Sequence, residues 1–288
     1  IDKGSTWGRA AGSTWASKNL KAIVVDGTKG IRVGDTKRFM KTVDSLVERA
    51  MRDPNRNNWK YMALYFVWPL WEEAGYLTTK NFTETGPKSK LLGPLGQKEY
   101  AKHRASVFGC PTCVAPDKAV LEAKEGRFKG IKSPFSTSLD PFWAFGVRLQ
   151  VSMDDSIKLW DMCDRYGIAG MTFTAIVSWL IELYQRGILT KEDTGGLELK
   201  EGFEIAKTLL EQTARNEGLG ATIALGFKGA EKKIGRGSEK YAYEVKGTEP
   251  DFDARGCLGL ETFTSQVNTR PSRDLPIGGL TVAKGRKP

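Results

Sequence analysis

The sequence predicts a mainly α fold: helical domains with a short β remnant at the N-terminus. Three observations carry this reading. Met153–Tyr166 opens on Asp154 and Asp155, which suit the positive end of a helix, and stops at Gly167, which suits a left-handed C′ position. Thr172–Arg186 places Phe173, Ile176, Trp179, Leu180, Leu183 and Tyr184 inside a buried helix stopped by Gly187. Gly202–Asn216 and Ala221–Ile234 read as two more helices. Against them stands a single short apolar run, Leu20–Asp26 followed by Gly27, which reads as a strand. One strand makes no stable sheet unaided, so its partners are expected from other sequence or another chain.

The remaining elements follow in order. Residues 1–17, rich in Gly, Ser, Thr and Ala, read as a loop. Asp35 or Thr36 caps a helix running to about Arg52, with Phe39, Val43, Leu46, Val47 and Ala50 on one apolar face. Asp53-Pro54-Asn55 ends it. Trp59–Ala74 is aromatic on nearly all sides and is expected to be buried, kinked or restarted at Pro69. Residues 77–96, with Gly86-Pro87 and Gly93-Pro94, read as a loop. Gln97–Phe108 is charged and reads as helical, with His103 an ordinary surface histidine.

Composition narrows the chemistry. With 288 residues, 40% of them hydrophobic and 27% charged, the chain has the make-up of a globular protein with room for two cores. No apolar run approaches the ~20 residues of a membrane-spanning helix, and none has the form of a signal peptide, so no membrane partner is expected. The chain begins at Ile1 rather than at a methionine, which reads as an excised or processed piece. A net charge of +10 suits an acidic partner; no nucleic-acid motif accompanies it, and its densest stretches, Lys228–Lys233 and Arg236–Lys240, read as solvated helix faces interleaved with Glu231 and Glu239. One histidine leaves no His-rich zinc site, and no GxSxG accompanies it, which argues against a hydrolase. Four cysteines, two of them in a CxxC, point to a reducing, cytoplasmic setting and a metal or redox role.

Two places carry chemistry by residue type. Cys110-Pro-Thr-Cys113 offers two thiolates on one tight turn, where a metal site asks for about four ligands. Cys163 and Cys257 read as buried structural thiols. Asp164 ends the apolar stripe of its helix, close to the negative end of the dipole, where a buried carboxylate needs strong donors. On these residues alone, a solvated Asp164 with Gly167 as a plain cap competes with a ligand-binding reading.

Several stretches in order resemble the aldehyde:ferredoxin oxidoreductase family of tungsten-pterin enzymes. They are Gly8-Arg-Ala-Ala-Gly12, Ser17–Val25, Met162–Ala169, Glu182–Leu189, Thr190–Leu199, Ala230–Ala242, Val245-Lys-Gly247 and Phe252–Gly256. Together they span most of the chain, sparsely between residues 27 and 150. Asp164, Gly167 and Ile168 sit on the family's D-x-x-G-L pterin motif, which implies that the carboxylate accepts from the adjacent N–H groups of a pterin. Ala169 stands where the family often has another carboxylate or thiol. Arg9, Ala10 and Gly12 match a loop whose backbone reaches the pterin and its phosphates; a plain surface loop is the competing reading.

The family's cluster pattern, CxxCxxxC with a distant fourth cysteine, places Cys110 and Cys113 as metal ligands and Asp117 at the third position. A second register sets Phe108-Gly-Cys-Pro111 on the family's Y-G-C-P, which puts Val107 in place of a cysteine and shifts Cys113 by one. Either way a ligand is lost, and an iron–sulfur cluster is expected to be altered or absent. Asp140, before Pro141–Gly146, stands where the family resembles E-T-I-W-A-L-G and is the candidate catalytic carboxylate, one methylene shorter.

The resemblance implies helical domains like the family's C-terminal ones. Residues 1–35 correspond to the tail of a β-containing pterin-binding domain, 36–235 to a helical domain with the CxxC loop, and 236–288 to the incomplete start of a second helical domain. It implies oxidation of a small aldehyde to a carboxylic acid, with tungstopterin (tungsten or molybdenum), an iron–sulfur cluster and, by the same likeness, Mg. Ferredoxin or another electron carrier is the implied partner, and a second chain that supplies the β domain is a further expected one. A chain so shortened is expected to bind no tungstopterin tightly by itself. The alternative is a degenerate, non-catalytic helical scaffold of the same family.

Overall fold

The computed structural model describes residues 11–66, 68–69, 78–85, 94–110, 112–135, 142–245, 247 and 249–250. Nine α-helices are described: α1 Ala11–Ser17, α2 Thr36–Met51, α3 Arg56–Met62, α4 Pro94–His103, α5 Met153–Tyr166, α6 Gly170–Gln185, α7 Phe203–Arg215, α8 Gly220–Ile223 and α9 Gly226–Ile234. Strands β1 Thr78–Thr79 and β2 Glu84–Thr85 form one small hairpin, and β3 Arg104–Phe108, β4 Lys118–Glu122 and β5 Lys132–Phe135 an antiparallel sheet in the order β3-β4-β5. The fold is mainly helical, as predicted.

The helices with strong local signals form where the periodicity puts them. Ser152 caps α5 by accepting from the Asp155 N–H at 3.2 Å, and Gly167 closes it with φ 69°. Asp35 caps α2 by accepting from the Arg38 N–H at 2.9 Å. α6 is buried nearly all round, and α7 buries Phe203, Ala206, Leu209 and Leu210. The core runs as a chain of aromatic contacts. Tyr65 stacks on Tyr100 at 4.4 Å, Trp68 meets Phe142 edge-on at 5.1 Å, and Phe145 touches both Trp160 and Phe173. A π-helical turn, Phe142–Val147, is buried throughout and packs on α5 and α6.

Several expectations are corrected. Among the described residues Leu20–Asp26 pairs with no strand and is coil, with Val24 and Val25 at 91% and 84% exposure. An isolated β-branched run with no neighbouring strand has no ladder to join. Ala11–Ser17 is helical rather than loop. The α2 face is not buried; Phe39, Leu46 and Val47 stay exposed, and no residue of the helix is buried. The aromatic segment is not one helix, because α3 stops at Met62, Ala63 takes φ 47°, and a 3₁₀ turn, Ala63–Phe66, follows; Tyr61 is exposed while Tyr65 and Trp68 are buried. Part of 77–96 forms the β1–β2 hairpin and the start of α4. Residues 97–108 switch from helix to strand at Arg104, so the CxxC lies in a β-hairpin. The last predicted helix is two, α8 and α9, separated at Ala224 and Leu225. Among the described residues, no single helix is long and apolar enough to cross a membrane.

Candidate functional site

Six of the ten predicted site residues fall in two places, and four lie elsewhere. Arg9, Ala10 and Asp140 lie outside the described residues, as does Cys257. Gly12 lies in α1.

The first place is the corner between α5 and α6. The two helices meet at 113°. Gly167 makes the turn possible, since its φ of 69° is left-handed and a side chain there would be strained even though no atom stands within 4 Å of a Cβ. The Ile168 N–H then donates back to the Cys163 carbonyl at 3.0 Å, a Schellman-type closure. Gly170 lets α6 start against α5, because a Cβ there would sit 2.8 Å from the Trp160 ring. This geometry brings Asp164, Gly167 and Ile168 together. Asp164 is fully buried, not solvated. Its neighbour Cys163 is also fully buried, and burial pushes that thiol well above its ordinary range, with the Asp164 charge adding to the effect. Cys163 is thus the inert structural thiol its isolation predicts. Further along the stripe, Asp161 is neutralised by Arg165 Nε at 2.9 Å and Lys158 Nζ at 3.6 Å.

The start of α6 carries buried polar groups that residue type alone did not single out. Arg148, 3% exposed, donates to the Met171 carbonyl at 2.8 Å, and Thr172 Oγ1 donates to Glu249 Oε1 at 3.1 Å. Their only sequence signal is charge inside an apolar neighbourhood: Arg148 directly follows the Phe142–Val147 run.

The second place is the tip of the β3–β4 hairpin. Phe108 pairs with Lys118 at its base, and Cys110 and Cys113 are both exposed in the loop between. The Cys113 N–H donates to the Cys110 carbonyl at 3.1 Å, and Thr112 is left-handed at φ 67°. Arg56 Nε donates to the Val114 carbonyl at 3.0 Å and ties the loop to α3. Lys118, which residue reading passed over, donates from Nζ to Cys110 Sγ at 2.8 Å, while Asp117 Oδ1 lies 3.9 Å from the same ammonium. The hydrogen bond to Cys110 raises the Lys118 pKa above its ordinary value against burial. Among the described residues, no group of three His, Cys, Asp or Glu side chains is placed to hold a metal ion. By themselves Cys110, Cys113 and Asp117 offer two thiolates and a carboxylate, short of the four thiolates an iron–sulfur cluster takes.

The family model for domains 2 and 3 of aldehyde ferredoxin oxidoreductase matches residues 41–274. The tungsten-containing aldehyde ferredoxin oxidoreductase of Pyrococcus horikoshii is 30% identical over 261 residues, covering 86% of this chain and 41% of the relative. The aliphatic sulfonate oxidoreductase WOR-like subunit of Pyrococcus furiosus is 28% identical over 277 residues, covering 89% and 41%. Among solved structures, the BamBC active-site complex of benzoyl coenzyme A reductase superposes with a TM-score of 0.65 at 21% identity, covering 83% of this chain and 37% of that one; it shares the fold. The chain thus spans about two-fifths of the length of these curated relatives. Matched through most of its length by the model of both helical domains, the chain belongs to the aldehyde ferredoxin oxidoreductase family.

Proposed function

We propose that this chain supplies the helical wall of a tungstopterin site in an oxidoreductase that takes an aldehyde to its carboxylic acid and passes the electrons to ferredoxin or another one-electron carrier. The observation that carries the reading is Asp164, fully buried in the last turn of α5 where the helix turns away at Gly167. A carboxylate at the negative end of a helix dipole, out of water, is stabilised only by strong donors. The adjacent N–H groups on the pyrimidine edge of a pterin match its two oxygens, so the donor chemistry fits the group.

When bound, the tungstopterin supplies the two-electron chemistry; the chain binds, orients and excludes water. Asp164 would hold the pterin edge, with Gly167 and Ile168 forming the turn beside it. By the family likeness, Arg9, Ala10 and Gly12 would contact the pterin and its phosphates, with Mg as a counter-ion. Asp140 serves as the carboxylate that positions the substrate or takes its proton. The +10 charge favours an acidic electron carrier.

The test is Asp164→Asn in the assembly that joins this chain to the β domain it is expected to need, purified without oxygen from tungstate-fed cells. The amide turns a double acceptor into a mixed donor and acceptor at constant shape. Tungsten per chain should fall at least ~10-fold, about 1.4 kcal/mol of binding, with the circular dichroism unchanged. Aldehyde-dependent reduction of a viologen dye should fall with it. Equal tungsten content in the two proteins removes Asp164 from the site.

A further inference from the structure

A cleft of about 280 Å³ lies between the β1–β2 turn, the second half of α6 and Glu201, just before α7. Among the described residues Ile181 is its single apolar side chain. A volume near the ~300 Å³ lower end of small-ligand pockets suits a molecule of few atoms, and this lining disfavours an apolar one. Two cations and three carboxylates face it, and most of them answer one another. Lys80 Nζ donates to Glu84 Oε1 at 2.9 Å. Both oxygens of Glu182 are occupied, Oε1 by Arg186 Nε at 2.8 Å and Oε2 by Asn81 Nδ2 at 2.6 Å. Two groups remain. Among the described residues, the Nη groups of Arg186 and the carboxylate of Glu201 have no hydrogen-bond partner.

Both remaining groups sit on held ground. The Arg186 guanidinium lies over the Tyr241 ring at 4.5 Å and is anchored through Nε, so its Nη edge is set in advance. The turn that carries Lys80 into the cleft keeps three successive residues left-handed, Lys80, Asn81 and Phe82 at φ 47°, 51° and 62°. Such backbone costs stability and persists where its surroundings over-determine it, as they do at ligand clamps.

We infer that this cleft binds a small amino acid as a zwitterion, its carboxylate on the Nη edge of Arg186 and its ammonium on Glu201. A guanidinium edge offers a carboxylate two N–H donors, and an ammonium supplies the donors that an acceptor-only carboxylate lacks. A multiply charged anion such as phosphate would meet three carboxylates against two cations, and a simple cation would leave the Arg186 edge unanswered. The α6 residues of the cleft begin at Ser178, more than two turns beyond Gly170. The site is therefore separate from the Asp164 corner and needs no tungsten.

The test is calorimetric titration of the full 288-residue chain with glycine, L-alanine, acetate and methylammonium. Glycine or L-alanine should bind at least ~10-fold more tightly than acetate or methylammonium, each of which keeps one of the two contacts. Glu201→Gln should weaken the amino acid ~10-fold and leave acetate unchanged. Arg186→Lys, which keeps the charge but not the fork, should weaken the amino acid and acetate alike and leave methylammonium unchanged. Circular dichroism should be the same for all three proteins. If Arg186→Lys fails to fold, Glu201→Gln alone decides, since among the described residues no hydrogen bond of the fold depends on that carboxylate. The proposal fails if neither amino acid binds at ~20 mM, far above the concentrations at which two charged contacts should hold it. It fails equally if acetate binds as tightly as glycine, which makes the cleft a plain anion site, or if Glu201→Gln leaves the amino acid's affinity unchanged. Neither variant touches Asp164, so these outcomes are distinct from the tungsten measurement.

Discussion

His103 Nε2 lies 3.1 Å from Asp154 Oδ2, joining the end of α4 to the start of α5 inside the protein. His103 is fully buried, with Nδ1 2.7 Å from the Glu99 carbonyl and 3.6 Å from Glu99 Oε2. Asp154 Oδ1 accepts from the backbone N–H groups of Lys124 at 2.5 Å and Glu125 at 3.0 Å. One carboxylate thus fastens the exit of β4, α4 and α5 at a single point.

Asp154 gives the first prediction. Burial pushes its pKa up, but the Glu125 N–H, His103 and the Lys124 N–H together hold it below the ordinary carboxylate value. A depressed folded-state pKa stabilises the fold above the ordinary carboxylate range, and that contribution is lost as the pH falls through it. Asp154→Asn should therefore cost ~1–3 kcal/mol in urea unfolding at pH 7, with the gap closing below about pH 4. A gap that stays constant between pH 7 and pH 3 contradicts a role for the charge.

The β1–β2 turn gives the second. Lys80, Asn81 and Phe82 all have positive φ, between 47° and 62°, a run that non-glycine residues rarely sustain. Tertiary contacts hold it. The Asn81 N–H donates to Ser178 Oγ at 2.8 Å, Asn81 Nδ2 donates to Glu182 Oε2 at 2.6 Å and to the Tyr241 carbonyl at 2.8 Å, and Phe82 stacks on Tyr243 at 4.1 Å. Asn81→Ala should destabilise by ~2–3 kcal/mol, since it removes the donor from a nearly buried carboxylate as well as a residue tolerant of that backbone. Asn81→Asp should be worse, setting two carboxylates against each other. Thermal unfolding that ranks the two in the opposite order rejects this account.

What could be read from residues divides along physical lines. Helix α5 was legible to the residue because its signals are local: acidic residues in the first turn and a left-handed Gly167 after the last. The buried α6 followed from its apolar density. The β3–β4–β5 sheet was not legible, because its strands are four or five residues long and only Ala119 and Leu121 in β4 show the alternation of a half-buried strand. His103 was misread for a related reason: its burial depends on Asp154, which no local pattern connects to it. The corner at Asp164, Gly167 and Ile168 was visible as a motif, whereas the Lys118–Cys110 contact exists only once the hairpin pairs Phe108 with Lys118.

The last prediction concerns three glycines that the helices need for different reasons. At Gly220, a Cβ would stand 2.2 Å from both the Gln212 carbonyl carbon and the Thr213 nitrogen, so α8 rests directly on the α7 backbone. At Gly170, a Cβ would meet the Trp160 ring at 2.8 Å, and that ring is itself fully buried. At Gly167 nothing is within 4 Å, and only the left-handed φ of 69° argues for glycine. Backbone cannot yield as a side chain can, so Gly220→Ala should cost more than ~3 kcal/mol and Gly170→Ala ~1–3 kcal/mol. Gly167→Ala should cost ~1 kcal/mol, the conformational penalty alone. Melting temperatures should fall in that order. If Gly167→Ala proves the most damaging, the turn holds the α5–α6 corner more firmly than the packing of Trp160 does.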